Sequence, residues 1–271
     1  MRARAAGVVK TVEDLHRRLD ALDDLRPGPD VDPVFAALVD VALTTPSRLA
    51  HHVLADPVVR RLRPLLVELS ARGEYALELA WAERVAADAD ELARFPYLGN
   101  YRLLARVEHD VVVAHLPGPL QRVLFVGSGP LPLSSLLLAD RLGVRVDNLD
   151  RDARAVDAAC RVAVALGAVD RLTFAVGDLI AHDDLAAYDL VVLAALVGVD
   201  PDAKRACLAH LARTMAPGAL VLARSAHALR TLLYPAVELP TDDPRLHPVA
   251  VVHPPAPVIN SIVLARVSAG R

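Results

Sequence analysis

The chain has 271 residues, 54% of them hydrophobic, enough to fill the core of one large domain or two modest ones. Thirty basic residues against thirty-three acidic ones leave a formal charge of −3, which removes the electrostatic footprint of a nucleic-acid or anionic-membrane binder and favours small-molecule partners. The longest apolar run, LVVLAALVGV, is too short for a bilayer, and the basic opening MRARAAGVVK has no apolar signal segment, so a cytoplasmic protein is expected.

From Thr11 to about His115 apolar residues recur at helical spacing, as at Leu15, Leu19, Leu22 and Leu25, with breaks at RPGPDVDP and TTPS. Thr11 and Asp14 resemble a weak capping box, and Pro33 after Asp32 suits the first turn of another helix. Further along, LSARGEYALELAWAERV puts Glu74 and Glu78 four residues apart on one helix face, with Trp81 at the next turn. Tyr97, Asn100 and Tyr101 fall in the stretch that joins this half to the next, where a loop can hold a ligand.

After LPGPLQ the pattern changes to short β-rich runs separated by helices: RVLFV, VRVDNL, LTFAV, YDLVVLA and ALVLAR. That predicts a mainly parallel α/β sheet, with a helical domain over residues 1–116 and the sheet domain over 117–271. Cys160 and Cys207 sit in apolar helical patterns without CxxC spacing and are expected as core fillers. The ten histidines include the adjacent His51 and His52 but no HxxxH pair, so no metal site is expected. The proline-rich LPTDDPRLHP reads as a loop. Finally, HPVAVVHPPAPVINSIVLARV offers two strands with no helix between them, expected to pair antiparallel at the end of the sheet. Such a terminal hairpin is typical of class I methyltransferase-like (Rossmann-type) domains rather than of dinucleotide dehydrogenases.

The turn after the first strand, FVGSGPLPLSSLLLADRLG, has Gly127 and Gly129 where a doubly wound sheet approaches its ligand most closely. Pro132 stands where a dinucleotide fingerprint needs a third glycine, and Pro130 also removes an amide donor, so a pyrophosphate is disfavoured. Asp150, ending the second strand, is placed to accept ribose hydroxyls, and Asp178 in VGDL is expected near the adenine. A nucleoside without pyrophosphate, such as S-adenosylmethionine, satisfies both. The nucleoside-binding set is then Gly127, Ser128, Gly129, Pro130, Asp150, Asp152, Asp178, Ala195 and Leu196, with Leu193 to Gly198 lining the methionine end.

The blocks FVGSGPLPLSSLLLA, YDLVVLAALVGVD, HLARTMAPGALVLARSAHALRTLLYP and VAVVHPPAPVINSIVLARV resemble the nicotianamine synthase family, and RFPYLGNYRLLARVEHDVV looks like that family's FPYxxNYxxLxxxE segment. The resemblance implies a helical domain capping a methyltransferase-like sheet, with S-adenosylmethionine as donor giving up its 3-amino-3-carboxypropyl group. One departure is Ala228 in RSAHALR, where plant members usually have glycine. The helix carrying Glu74 resembles the family's AEGxLE segment, in which a glutamate approaches the acceptor amine. An amino-acid amine is mostly protonated at neutral pH, and a carboxylate in a partly apolar site can take its proton. Glu74 is the first candidate base and Glu78 the second, with Tyr97 and Tyr101 as catalytic hydroxyls.

Arg224, Ser225, His227 and Tyr234 are read as following the fifth strand, at the ligand-binding edge. Arg224, His227 and Tyr234 are the substrate-binding candidates, Arg224 through a bidentate bond to a substrate carboxylate. The expected partner is a small amino-acid acceptor, and the assembly is compatible with a homodimer. Short bacterial members resembling this chain alkylate one amino acid, often histidine, toward opine-type metallophores, and the chain's length without a C-terminal extension favours that type. The alternatives are a nicotianamine synthase proper, a conventional methyltransferase, or a noncatalytic nucleoside- or metal-binding protein.

Overall fold

Periodic leucines and valines build the first part of the chain, and the computed structural model describes residues 2–116, 118–239 and 245–269. Helices α1 (Arg2–Asp20), α2 (Asp32–Thr44), α3 (Ser47–Ala55), α4 (Pro57–Ala87) and α5 (Leu98–Val113) follow one another. α1 begins at Arg2 and not at Thr11, whose hydroxyl donates to the Gly7 carbonyl one turn back instead of capping. Pro33 does lie in the first turn of α2, and the Asp56 side chain caps α4 by accepting from the Val58 amide. Leu15, Leu19, Val34, Leu38, Val59, Leu62 and Leu66 close one apolar core among these helices. α4 has 31 residues. At the usual rise it runs about 46 Å, and its second half leaves the helical core. There Trp81, Ala82 and Val85 join Phe95 and Leu98 against Ala158 and Val162 of the sheet half.

The sheet contains β1 (Val123–Val126), β2 (Val146–Asp150), β3 (Leu172–Val176), β4 (Leu190–Leu193), β5 (Leu220–Ser225), β6 (Leu246–Val252) and β7 (Ser261–Val267). Its order is β3-β2-β1-β4-β5-β7-β6, parallel through the first five and antiparallel at β7 and β6. The terminal hairpin is therefore present, with β7 inserted beside β5. β1 and β4 are buried along their whole length, which is why they read as unbroken apolar runs. Side chains alternate between two cores: Leu124, Val126, Val191 and Leu193 meet Leu208 and Leu211 of α8 (Pro201–Thr214), while Val123, Phe125, Leu190 and Val192 meet Leu136 and Leu138 of α6 (Leu133–Leu142). This is a class I methyltransferase-like α/β fold with a helical N-terminal part.

Four local expectations change. Arg224 and Ser225 are the last two residues of β5 rather than part of the following loop. Tyr97 is the residue before α5 and Asn100 and Tyr101 lie in its first turn, so helix geometry and not a loop fixes them. Cys207 is buried, but Cys160 is exposed, because α7 (Ala153–Ala165) turns Ala155, Ala158, Ala159 and Val162 inward instead. The expected loop LPTDDPRLHP falls outside the described residues at 240–244, and its last residues, Leu246 to Pro248, open β6. Among the described residues no helix is long and apolar enough to cross a membrane.

Candidate active site

The carboxyl ends of β1, β2, β4 and β5 open into a cavity of about 1070 Å³, covered by α4, α5 and the connection from α1 to α2. Two glycines shape its floor. Gly127 has φ +78°, and a Cβ there would sit 2.4 Å from Val197 Cγ2, so the turns after β1 and β4 close on each other. Gly129 has φ +65°, and its Cβ would sit 2.4 Å from Glu78 Oε2, so the nucleoside-type loop and the α4 carboxylate also come together there.

Asp150 accepts from the Gly129 amide at 2.9 Å and, through its other oxygen, from the Asp152 amide at 3.0 Å. It thus ties the β1 loop to the end of β2, and each carboxylate oxygen keeps capacity for a further donor. Asp152 accepts from the Tyr75 hydroxyl at 2.6 Å, which holds it below the usual carboxylate range. Burial and then Asp152 push the Tyr75 phenol up to about 12. Asp178 also lines the cavity and accepts from the Ile180 amide at 2.9 Å. Ala194 to Gly198 line the same side as a turn beyond β4, with only Leu193 in the strand. Behind that turn the buried Lys204 donates to the Ala195 carbonyl at 3.2 Å, and burial brings its ammonium down to about 8.

The opposite wall is made of carboxyls and phenols. The helical spacing of Glu74 and Glu78 brings both to the cavity, as expected. Tyr234 donates to Glu74 at 2.6 Å and Tyr101 donates to Glu78 at 2.7 Å. Desolvation raises the Glu74 carboxyl above its ordinary value, and desolvation followed by the Glu74 charge pushes Glu78 up to about 8. Burial and the two carboxylates lift both phenols well above the usual tyrosine range, so Tyr101 and Tyr234 keep their protons. Tyr97 and Asn100 line the cavity too, the Asn100 amide donating to the Pro257 carbonyl. Two raised carboxyls one helical turn apart do not both ionise readily, so the wall holds a proton across the pair toward neutral pH, an acid and a base side by side.

Arg224 lines the cavity, but its bidentate partner comes from the chain itself: Nε and NH2 donate to the two oxygens of Glu108 at 2.7 and 3.0 Å, and NH1 donates to Ser134 at 2.9 Å. Burial opposes the guanidinium charge, yet Glu108 outweighs it and the group stays cationic. Glu108 is the closing glutamate of FPYxxNYxxLxxxE, and that motif position was the one sequence signal for it. His227 is not among the lining residues. It stacks on His253 at 4.2 Å, meets Ser261 Oγ at 3.0 Å and is held down near 4 by burial, then by His253 and Arg230. Ala228 beside it takes φ 50°, the left-handed conformation that glycine adopts without strain. Tyr75 and Lys204 carried no motif; Ser70 and Asn260 also line the cavity unannounced. Among the described residues no three His, Cys, Asp or Glu side chains are grouped to hold a metal.

A sheet of this order, with glycine turns and an acid at its carboxyl edge, defines a class I methyltransferase-like protein whose cavity has been roofed by helices and lined with paired carboxyls. Residues 1–270 match the family model described as Nicotianamine synthase protein. The chain is 40% identical over 275 residues to nicotianamine synthase 2 of Oryza sativa subsp. japonica, covering 96% of this chain and 82% of that protein. It is 39% identical over 269 residues to nicotianamine synthase 9 of Hordeum vulgare, covering 96% and 78%. The chain belongs to the nicotianamine synthase family. Its fold is also that of a solved glutamate-to-glutamine mutant of MtNAS in complex with S-adenosylmethionine, at a TM-score of 0.81 and 24% identity over 96% of this chain and 98% of that one.

Proposed function

We propose that this chain transfers the 3-amino-3-carboxypropyl group of S-adenosylmethionine to the amine of an amino-acid acceptor. The observation that carries the reading is the pair Glu74 and Glu78, each bonded by a tyrosine hydroxyl and both lining the cavity floored by the glycine turn. The new C–N bond forms at the methionine γ-carbon as its C–S bond breaks, the electron pair leaves with sulfur, and 5′-methylthioadenosine departs as a neutral thioether. The amine proton goes to Glu74. Glu78, Tyr101 and Tyr97 orient the acceptor, and Arg224 with Tyr234 fixes the electrostatics of that wall. The nucleoside is held by Gly127, Ser128, Gly129, Pro130, Asp150, Asp152, Asp178, Ala195 and Leu196. Holding donor and acceptor in one enclosed cavity supplies the alignment on which such a displacement depends. The volume, at the upper end of what one small ligand occupies, supports two occupants.

Free histidine is the first acceptor to test, in a single addition within opine-type metallophore formation. A second reading, repeated transfer to give nicotianamine, is favoured by the names of the rice and barley relatives. Neither requires a metal, and both suit a cytoplasmic enzyme and are compatible with a homodimer. Mass spectrometry of protein incubated with S-adenosylmethionine and an amino-acid mixture tests all of this. Methylthioadenosine with a histidine adduct supports the first reading and nicotianamine the second; S-adenosylhomocysteine would mean methyl transfer, and no turnover a binding protein.

A further inference from the structure

Two polar side chains in the cavity wall have no role in the transfer described above. Ser70 and Asn260 are each only 7% exposed, both line the cavity, and Ser70 Oγ and Asn260 Nδ2 have no hydrogen-bond partner. A buried polar group without a partner loses its water bonds and regains nothing, so a pair of them lining one ligand space points to a ligand. Ser70 precedes Glu74 by one turn of α4, about 6 Å along the axis and on the same face. Asn260 immediately precedes β7 at the carboxyl edge of the sheet, and its neighbour Ile259 packs in the same core as Leu66 and Leu69 of α4. Asn260 thus lines the cavity from the sheet side, and Ser70 lines it from α4.

We propose that Ser70 and Asn260 hold the α-carboxylate of the acceptor amino acid. The proposal rests on the transfer reading and extends it to how the acceptor is recognised. An amide N–H can only donate and a serine hydroxyl is free to donate, so the atom that satisfies both is an acceptor, and a carboxylate offers two. One carbon separates an amino acid's carboxylate from its amine. A carboxylate gripped one turn from Glu74 thus leaves the amine within reach of that base. Arg224 has three of its five N–H groups engaged by Glu108 and Ser134, so it is a weaker candidate for this grip than donors with no partner at all. Its positive charge still favours an anion in the cavity.

Calorimetric titration of L-histidine, and separately of nicotianamine, into full-length protein saturated with methylthioadenosine reads this without turnover. The parent binds at least one of them, and Asn260→Ala and Ser70→Ala each weaken that binding roughly 10- to 150-fold, the loss of a hydrogen bond to a charged group. Methylthioadenosine affinity stays unchanged in both. Since neither atom has a partner within the chain, the unfolding midpoints stay at or above the parent's, which a merely structural role would not allow. Histamine, which lacks the carboxylate, binds parent and Asn260→Ala equally. Unchanged amino-acid binding in both variants, lowered midpoints with a parallel loss of methylthioadenosine affinity, or no binding of either amino acid by the parent overturns the assignment. Release of methylthioadenosine from S-adenosylmethionine by the parent is scored separately: its absence overturns the transfer reading, while the titrations still decide this one.

Discussion

Replacing Glu78 by glutamine isolates the cost of a buried carboxylate in the cavity wall. The native protein holds the Glu78 proton up to about 8, whereas a carboxyl at its ordinary value of 4.5 releases it far earlier. The native state therefore binds the extra proton across that window, and stability falls as the pH rises through it. Once the group is ionised in both states the cost levels off, at up to about 5 kcal/mol for a difference of that size. Glutamine keeps an oxygen for the Tyr101 hydroxyl and cannot ionise. Urea unfolding at a series of pH values from about 5 to about 9 gives the two stability curves. The parent should lose stability toward pH 8 and then flatten, while Glu78→Gln falls much less and gains on the parent at the alkaline end. Glu74 in the same wall is also raised and leaves some slope in the variant, so the test is the difference between curves. Parallel curves would refute the buried proton on Glu78, and with it the division of the pair into one acid and one base.

Glu74→Gln should preserve S-adenosylmethionine binding while lowering turnover roughly a hundred- to ten-thousand-fold, with partial recovery at higher pH; methylthioadenosine release measures it, and parental rates in both single glutamine variants would remove this helix as the source of the base. Glu108→Gln leaves the Arg224 guanidinium buried with its charge uncompensated, so denaturant unfolding should register a loss of roughly 3–5 kcal/mol. A loss too small to resolve would mean that Arg224 finds another anion. Asp150→Ala should weaken S-adenosylmethionine binding by roughly 1.5–3 kcal/mol in calorimetry, and NAD should not bind the parent; unaltered affinity would put the nucleoside elsewhere.

Strands β1, β3, β4 and β5 were legible because each is a short, largely apolar run bounded by turn residues, and the carboxyl pair because four residues is one helical turn. The glycine turn was legible as a ligand loop, but not that the absent Cβ of Gly129 makes room for Glu78, since that contact joins remote segments. The same limit hid the Arg224–Glu108 pair, 116 residues apart in sequence. Thr11 misled because the residue types that cap a helix also bond back to the previous turn from inside one. Ser70 and Asn260 gave no signal because a single serine or asparagine is ordinary anywhere, and only burial without a partner distinguishes them.

α4 belongs to two hydrophobic cores at once, one shared with α1 to α3 and with Leu229, Leu232, Leu233 and Ile259, and one that needs Ala158 and Val162 of α7. The consequence falls on synthesis. The helical part leaves the ribosome first, but its own core lacks Leu229, Leu232, Leu233 and Ile259, and the strip carrying Trp81, Ala82 and Val85 has no complete counterpart until α7 has been made. For that interval the nascent helices carry two unfinished apolar faces, and the cavity exists only after the half that emerges later has closed both.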